Sequence, residues 1–332
     1  MSEGLIWITE QDVVSLVNLD DAIVALERMA SDPAAFNLPK ALGSFDDGSS
    51  MHALGSAAPG LGFAGFKTWV HTKRGATAVY ALFDSHRGAV RAMIEAGALG
   101  QLRTSAMTGL GTRWLAAPGV DDMGLIGTGF QALTQVAAVN AVRPLKRVRV
   151  FSPTADKRQA FTELLRRRFD AEIVEAQSAA EAAADAPIVT IVTRAREPFF
   201  SAAMLAQGAH LNAVGAILPT HAEFHQDVFD RVGSIAVDDL SNVQKTSREF
   251  IERFGSGRGW DSVRPIGDII RSGKPARPIG GDVSLFKSVG MGLSDLAVAM
   301  MAYQRAVDRG VGRSIAAPHR ATPTWKGDRG AH

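Results

Sequence analysis

Apolar residues recur at helical spacing from Trp7 to Met29, at Val13, Leu16, Val17, Ile23 and Leu26, so one or two short helices open the chain. Asn18 or Asp20 is placed to cap between them. From Asn37 to Gly88 the rhythm shortens to strand-like runs punctuated by glycine, including FAGFKTWVHT and TAVYALFD, and sheet is expected there. Leu99 to Leu115 is helical again, with Leu99, Leu102, Ala106, Leu110 and Leu115 near one face. Beyond Asp121 strand and helix alternate. MGLIG, RVRVFS, EIVEA, PIVTIVT, HLNAVGA and SIAVDD have the character of strands. FQALTQVAAVNAV, stopped near Pro144, and KRQAFTELLRRRF have that of helices, and SAAEAAADA makes a short helix with a Ser178/Glu181 capping box. Such alternation implies a parallel sheet covered on both faces. GLSDLAVAMMAYQRAV is an amphipathic helix with Ser294 as its expected N-cap, and the stretch from Pro318 is expected to be mobile.

Composition narrows the function classes. The 332 residues suffice for two domains, and 46% apolar against 21% charged residues is ordinary globular material. Thirty-six Lys and Arg against 34 Asp and Glu leave a formal charge of +2. The only basic run is Arg166, Arg167 and Arg168, whose side chains diverge on a helix, so no nucleic-acid partner is expected. The chain has no cysteine, which excludes disulfides, thiolate nucleophiles and cysteine-ligated zinc or iron–sulfur clusters, and no metal is expected. The longest stretch without charged residues, Pro198 to Ala222, contains Gln207, His210, Asn212 and prolines, so no membrane span is expected. MSEGLIWITEQD lacks the basic and apolar regions of a signal peptide, and a cytoplasmic location is expected.

The most specific local motif is Gly127-Thr128-Gly129-Phe130-Gln131-Ala132. It follows an apolar strand and opens a helix, the context in which G-x-G-x-x-A binds a dinucleotide. Gly127 permits the turn, Gly129 admits a pyrophosphate to the positive helix end, and Ala132 allows close packing of helix and strand. The second strand bears on which dinucleotide. An NAD site places an acid at its end to bind the ribose 2′-hydroxyl, but here stand Ser152, Pro153 and Thr154, then Lys157 and Arg158. Hydroxyls and cations accept a 2′-phosphate that a carboxylate repels, so NADP(H) is favoured over NAD(H).

Several segments together resemble the ornithine cyclodeaminase/μ-crystallin family. They are Gly65-Phe66-Lys67, Leu99-Gly100-Gln101-Leu102-Arg103-Thr104-Ser105-Ala106, the glycine loop, and Gly208-Ala209-His210-Leu211-Asn212-Ala213-Val214-Gly215 with Pro219 and Glu223. Phe286-Lys287-Ser288-Val289-Gly290-Met291, leading into Asp295, completes the set. The resemblance implies an α/β fold: a Rossmann domain (119–294) inserted in a second α+β domain (1–118 with 295–332) that carries substrate and dimer contacts. It implies a homodimer acting on a small imino or amino acid. Arg103 matches the arginine that grips the substrate α-carboxylate, and Lys67 matches the lysine beside the substrate; period-two alternation sets Trp69 and His71 on the same face as Lys67. Thr104 and Thr193 match positions near the cofactor, with Val214 and Val289 also at the cofactor, and Glu223 matches an acid near the substrate. Lys40 stands roughly where many members have an arginine.

One departure redirects the functional expectation. Cyclodeaminases and related alanine dehydrogenases carry an aspartate shortly after the Val-Gly, where this chain has Ile217. Isoleucine moves no protons, so oxidation of an ammonium substrate lacks its usual base, whereas reduction of a preformed imine needs chiefly orientation. His221 is a substitute proton carrier or else an exposed loop histidine. The expected activity is NAD(P)H-dependent reduction of imines of 2-oxo acids to α-amino acids. The imine is a cyclic ketimine or an acyclic, dicarboxylic one such as iminosuccinate, since Lys40, Lys67, His71 and Arg103 exceed what one carboxylate requires. Ornithine cyclodeamination, amino-acid dehydrogenation and non-catalytic binding of a small molecule are the alternatives.

Overall fold

Exposure alternates along the strand Phe63–Thr72, where Gly65 and Lys67 are buried while Phe66 and Val70 face out, the mark of a sheet covered on one side. By contrast Asp122–Ile126 and Val283–Lys287 are buried at every position, as strands are in a parallel sheet with helices on both faces. The computed structural model describes residues 4–276 and 278–325, and these two burial patterns belong to two separate sheets.

The chain begins with β1 (Leu5–Ile8), α1 (Glu10–Leu16) and α2 (Leu19–Ser31), and continues through β2 (Phe36–Asn37), β3 (Ala41–Ser44) and β4 (Ser50–Ala58). β5 (Phe63–Thr72), β6 (Gly75–Asp84), β7 (Val90–Glu95) and the long α3 (Gly97–Leu115) follow. The second sheet is built next, from β8 (Asp122–Ile126), α4 (Ala132–Val142), β9 (Arg147–Phe151), α5 (Ala155–Arg168), β10 (Glu172–Glu175), α6 (Ala179–Ala183), β11 (Ile188–Ile191) and β12 (His210–Ala213). It is completed by α7 (Val228–Arg231), β13 (Val232–Val237), α8 (Leu240–Thr246), α9 (Arg248–Phe254), β14 (Val263–Pro265), α10 (Ile266–Arg271) and β15 (Val283–Lys287). The chain then returns through α11 (Gly292–Arg309) to β16 (Arg313–Ile315), at the edge of the first sheet.

The first sheet runs β16-β1-β7-β6-β5-β4-β2, with β3 also paired to β4. Its inner face gives Tyr80, Leu82, Ala92 and Ile94 to a core shared with α2, α3 and α11. The second sheet runs β10-β9-β8-β11-β12-β15-β13-β14, every pair parallel. Met123 and Leu125 of β8 enter one apolar cluster and Ile126 the other, so both faces are covered. Strand order reverses between β8 and β11, which puts a crevice at their carboxyl ends.

Asn18 caps α2 by accepting from Asp21 N at 2.9 Å. Ser178 accepts from Glu181 N at 3.0 Å, but the Glu181 carboxylate closes back on Gln177 N, one residue early, so only half of the expected box forms. Ser294 is not an N-cap. α11 starts at Gly292, Ser294 Oγ donates to Met291 O at 2.7 Å, and the helix end is capped from a distance by Asn37 Oδ1, which accepts from Leu293 N at 2.8 Å. Residues 318–325 form no regular element, and the rest of the tail expected to be mobile lies outside the described residues. No helix among the described residues is long and apolar enough to cross a membrane.

Candidate active site

Three elements from distant parts of the chain meet in one cluster of charged side chains. β5 turns Lys67 inward, α3 carries Arg103, and the first turn of α11 supplies Asp295. Lys67 Nζ donates to Asp295 Oδ1 at 2.7 Å and lies 5.0 Å from the centre of the Trp69 ring. Arg103 Nε approaches the same oxygen to 3.3 Å without hydrogen-bond alignment. Asp295 is wholly buried, and its Oδ2 has no partner among the described residues. Burial, then the Arg103 charge, lower the Lys67 pKa from 10.5 to about 8, against the opposing pull of Asp295. A lysine so placed exchanges its proton near neutral pH. Gly290 matters here for its backbone: at φ +95 it suits glycine, and a Cβ would stand 3.1 Å from an Arg103 terminal nitrogen.

Lys40 is half-buried in the segment between β2 and β3. Its pKa is lowered by desolvation and by Arg103, which places the two cations in one field. His71 is exposed near the end of β5, opposite Ser50. His52 of β4 stacks on Trp69 at 4.5 Å and 3°, so the aromatic row expected along β5 is extended sideways by a residue that sequence spacing did not single out.

At the other end, Gly127 takes φ +114 against the Val192 carbonyl, where a Cβ would meet that oxygen at 2.6 Å. Gly129 has no atom within 4 Å of where its Cβ would be, leaving its backbone open to a ligand as a pyrophosphate cradle requires. α4 begins at Ala132, while Phe130 and Gln131 lie in the turn and Phe130 is largely exposed. Gln101 Nε2 donates to Phe130 O at 2.8 Å, so the helix that carries Arg103 and Thr104 also grips the glycine loop. Thr104 spends its hydroxyl hydrogen on Gly100 O at 2.7 Å. Beyond β9, Ser152 is buried and Thr154 and Lys157 are exposed. Arg158 is not a free cation at this edge: it is buried, pairing with Glu175 at 2.9 Å and donating to Ser152 O at 2.7 Å.

Glu223 corrects the sequence reading most. It is fully buried; Oε1 accepts from Thr193 N and Thr193 Oγ1 at 2.6 and 2.7 Å, and Oε2 from Gly215 N and Ala216 N at 2.8 and 3.0 Å. With both oxygens taken, it braces the loops after β11 and β12 instead of meeting a substrate. Burial raises its pKa, and Lys287 opposes the rise. Val214 and Val289 are buried beside these loops, Val289 N donating to Asp238 at 3.0 Å. Ile217 is 40% exposed on the loop after β12; His221 is partly buried there, and burial lowers its pKa.

The member of this cluster that sequence reasoning passed over is Asp295, which there only follows the Phe286–Met291 segment. Its helical position was legible, but its partner Lys67 lies 228 residues away.

Comparison with known proteins adds to this geometry. The sequence model of the ornithine cyclodeaminase/mu-crystallin family matches residues 13–310. The chain is 28% identical over 324 residues to a Delta(1)-pyrroline-2-carboxylate reductase of Bacillus cereus, covering 94% of this chain and 99% of that one. Among solved structures, Thermococcus litoralis Delta(1)-pyrroline-2-carboxylate reductase in complex with NADH and L-proline superposes with a TM-score of 0.88 at 24% identity, covering 94% of this chain and 100% of the other. An archaeal alanine dehydrogenase dimer with bound NAD gives 0.86 at 25% identity, covering 94% and 98%.

Proposed function

The chain belongs to the ornithine cyclodeaminase/mu-crystallin family, and from that premise we propose that it is a cytoplasmic reductase of imines of 2-oxo acids, yielding α-amino acids. The observation that carries this reading is the buried Lys67–Asp295–Arg103 cluster, joined through Gln101 to a glycine loop with an open backbone. Relatives named as reductases of a cyclic imine support it. We assign residues 119–294 to a dinucleotide domain and 1–118 with 295–332 to a substrate domain, a division that follows the membership of strands in the two sheets.

When bound, NADPH or NADH supplies the hydride that reaches the imine carbon. The chain's own residues do the rest. Arg103, whose terminal nitrogens make no hydrogen bond among the described residues, offers a fork to the α-carboxylate and holds the C=N unit in place. Lys67, with its lowered pKa, gives a proton to the nitrogen of a neutral imine and is reprotonated from solvent; an iminium needs none. Asp295 keeps Lys67 charged and aimed. We assign NADP(H) as the preferred cofactor, with Ser152, Thr154 and Lys157 at the 2′-phosphate and Arg158 as the wall behind them. The outer face of the first sheet exposes Met51, Phe66 and Val70, and we place the homodimer contact there.

The test is consumption of NADPH and NADH with pyrroline-2-carboxylate, piperideine-2-carboxylate and 2-oxo acids plus ammonia, beside proline and ammonia formation from ornithine with NAD. Imine reduction with poor turnover of ornithine is expected, because Ile217 supplies no base; Ile217→Asp should raise the oxidative activity. Efficient ornithine turnover with no imine reduced would overturn the assignment.

A further inference from the structure

Tyr80, Ser56 and Asp295 are buried, and each carries an oxygen without a hydrogen-bond partner among the described residues: the Tyr80 hydroxyl, Ser56 Oγ and Asp295 Oδ2. A buried hydroxyl left alone is costly, and folded proteins rarely keep several together. Tyr80 is wholly buried and Ser56 is 2% exposed, so open solvent serves neither.

The backbone brings the three together. Tyr80 of β6 pairs with Lys67 of β5, and residues directly opposite share a face. The tyrosine side chain crosses β5 at Gly65: a Cβ there would meet Tyr80 Cε1 and Oη at 2.5 Å each, so only glycine lets the ring pass. On β4, Ser56 is the partner of Gly65, which puts both hydroxyls on the same stretch of the inner face. α11 closes the far side. A Cβ on Gly292 would stand 3.0 Å from Ser56 Cβ, and Asp295 follows one turn later on the same side of that helix. Burial and the Asp295 charge hold the Tyr80 pKa well above 10, so the phenol keeps its proton and is a donor at any working pH. The other charges at Asp295 are Lys67 and Arg103, and Lys40 acts on Lys67 in the same direction as Arg103.

We propose that Tyr80 is a positioning residue for Lys67: together with Ser56 it holds a bound water against Asp295 Oδ2, which shares the carboxylate's charge and limits its pull on the Lys67 ammonium. Three buried polar atoms are the complement that a bound water uses. The phenol thus opposes Asp295, and Lys67 parts with its proton more readily than the bare ion pair would allow. The consequence for turnover rests on the imine-reductase reading, in which that proton goes to the imine nitrogen, whereas the titration of Lys67 is measured without substrate.

The Lys67 pKa is read by NMR of lysine Cε in isotope-labelled enzyme, with Lys67→Met assigning the signal. Tyr80→Phe, which keeps the ring and removes the hydroxyl, should raise that pKa by about half a pH unit or more. In an Asp295→Asn background the same substitution should change it much less, because the tyrosine acts through the carboxylate. A Lys67 titration that stays or falls in Tyr80→Phe overturns the proposal. So does an equal rise in both backgrounds, the result expected if the substitution merely loosens the core. If Tyr80→Phe or Asp295→Asn does not fold, as judged by circular dichroism, Ser56→Ala decides: a rise in the Lys67 pKa supports the proposal and no rise overturns it. The basic limb of kcat/KM for a neutral imine is followed in the same variants. A limb that moves with Lys67 supports the proposal and the reductase reading together. A limb that stays while the Lys67 titration moves upholds Tyr80 and overturns Lys67 as the proton donor. If no imine is reduced, the reductase reading fails and the titration still decides the role of Tyr80.

Discussion

Lys67 carries two opposing influences, and their balance is open to measurement. Burial and the Arg103 charge favour the neutral amine, while Asp295 favours the ammonium. If the ammonium gives up the proton, kcat/KM for a neutral imine should fall as pH rises through about 8. Asp295→Asn removes the group that raises this pKa, so the basic limb should move to lower pH. A limb that stays in place would mean that another group donates. The same pair shows what a sequence conceals at this scale. Lys67 and Arg103 were identified one at a time from their motifs, but the carboxylate that joins them becomes visible only when β5, α3 and α11 meet. Glu223 erred in the other direction: an acid at the matching position is a buried brace, because four protein donors reach it first.

Elements were more legible than their ends. The alternation after Asp121 did yield a parallel sheet, since buried apolar runs and amphipathic helices are written locally. β1 was not foreseen: its four residues are held by β7 and β16, both remote in sequence. The start of α11 was misplaced for the same reason, its cap coming from Asn37. At the end of β9, Ser152 stands where an acid would repel a 2′-phosphate, so Ser152→Asp should shift preference toward NADH. A wild type that already strongly prefers NADH would refute this assignment of the strand end. β12 carries a different liability. His210 is fully buried, bonded through Nδ1 to Ser284 Oγ at 2.9 Å and through Nε2 to Asn212 Oδ1 at 3.0 Å, and burial lowers its pKa from 6.5 to about 4. The unfolded chain protonates first on acidification, so stability present above pH 6.5 should be lost as pH falls toward 4, by about 3 kcal/mol in all. Urea unfolding at pH 7 and 4.5 checks this, and His210→Gln should flatten the dependence.

In the whole molecule, two sheets with different burial rules share one site because the chain crosses between them twice, through α3 and α11. Arg103 sits on the first crossing and Asp295 on the second, so the cluster depends on both being seated. Gln101 extends the first crossing to the glycine loop. The pairing of β1 with β16 has a consequence of its own. Leu5 lies opposite Ile315, so strands near the two chain ends are hydrogen-bonded to one another and the described chain traces a nearly closed ring. On a ring, neither sheet interrupts the other. Which one counts as inserted depends on where the ring is cut, and a cut between the sheets, with the present ends joined, would turn the same contacts into two consecutive units.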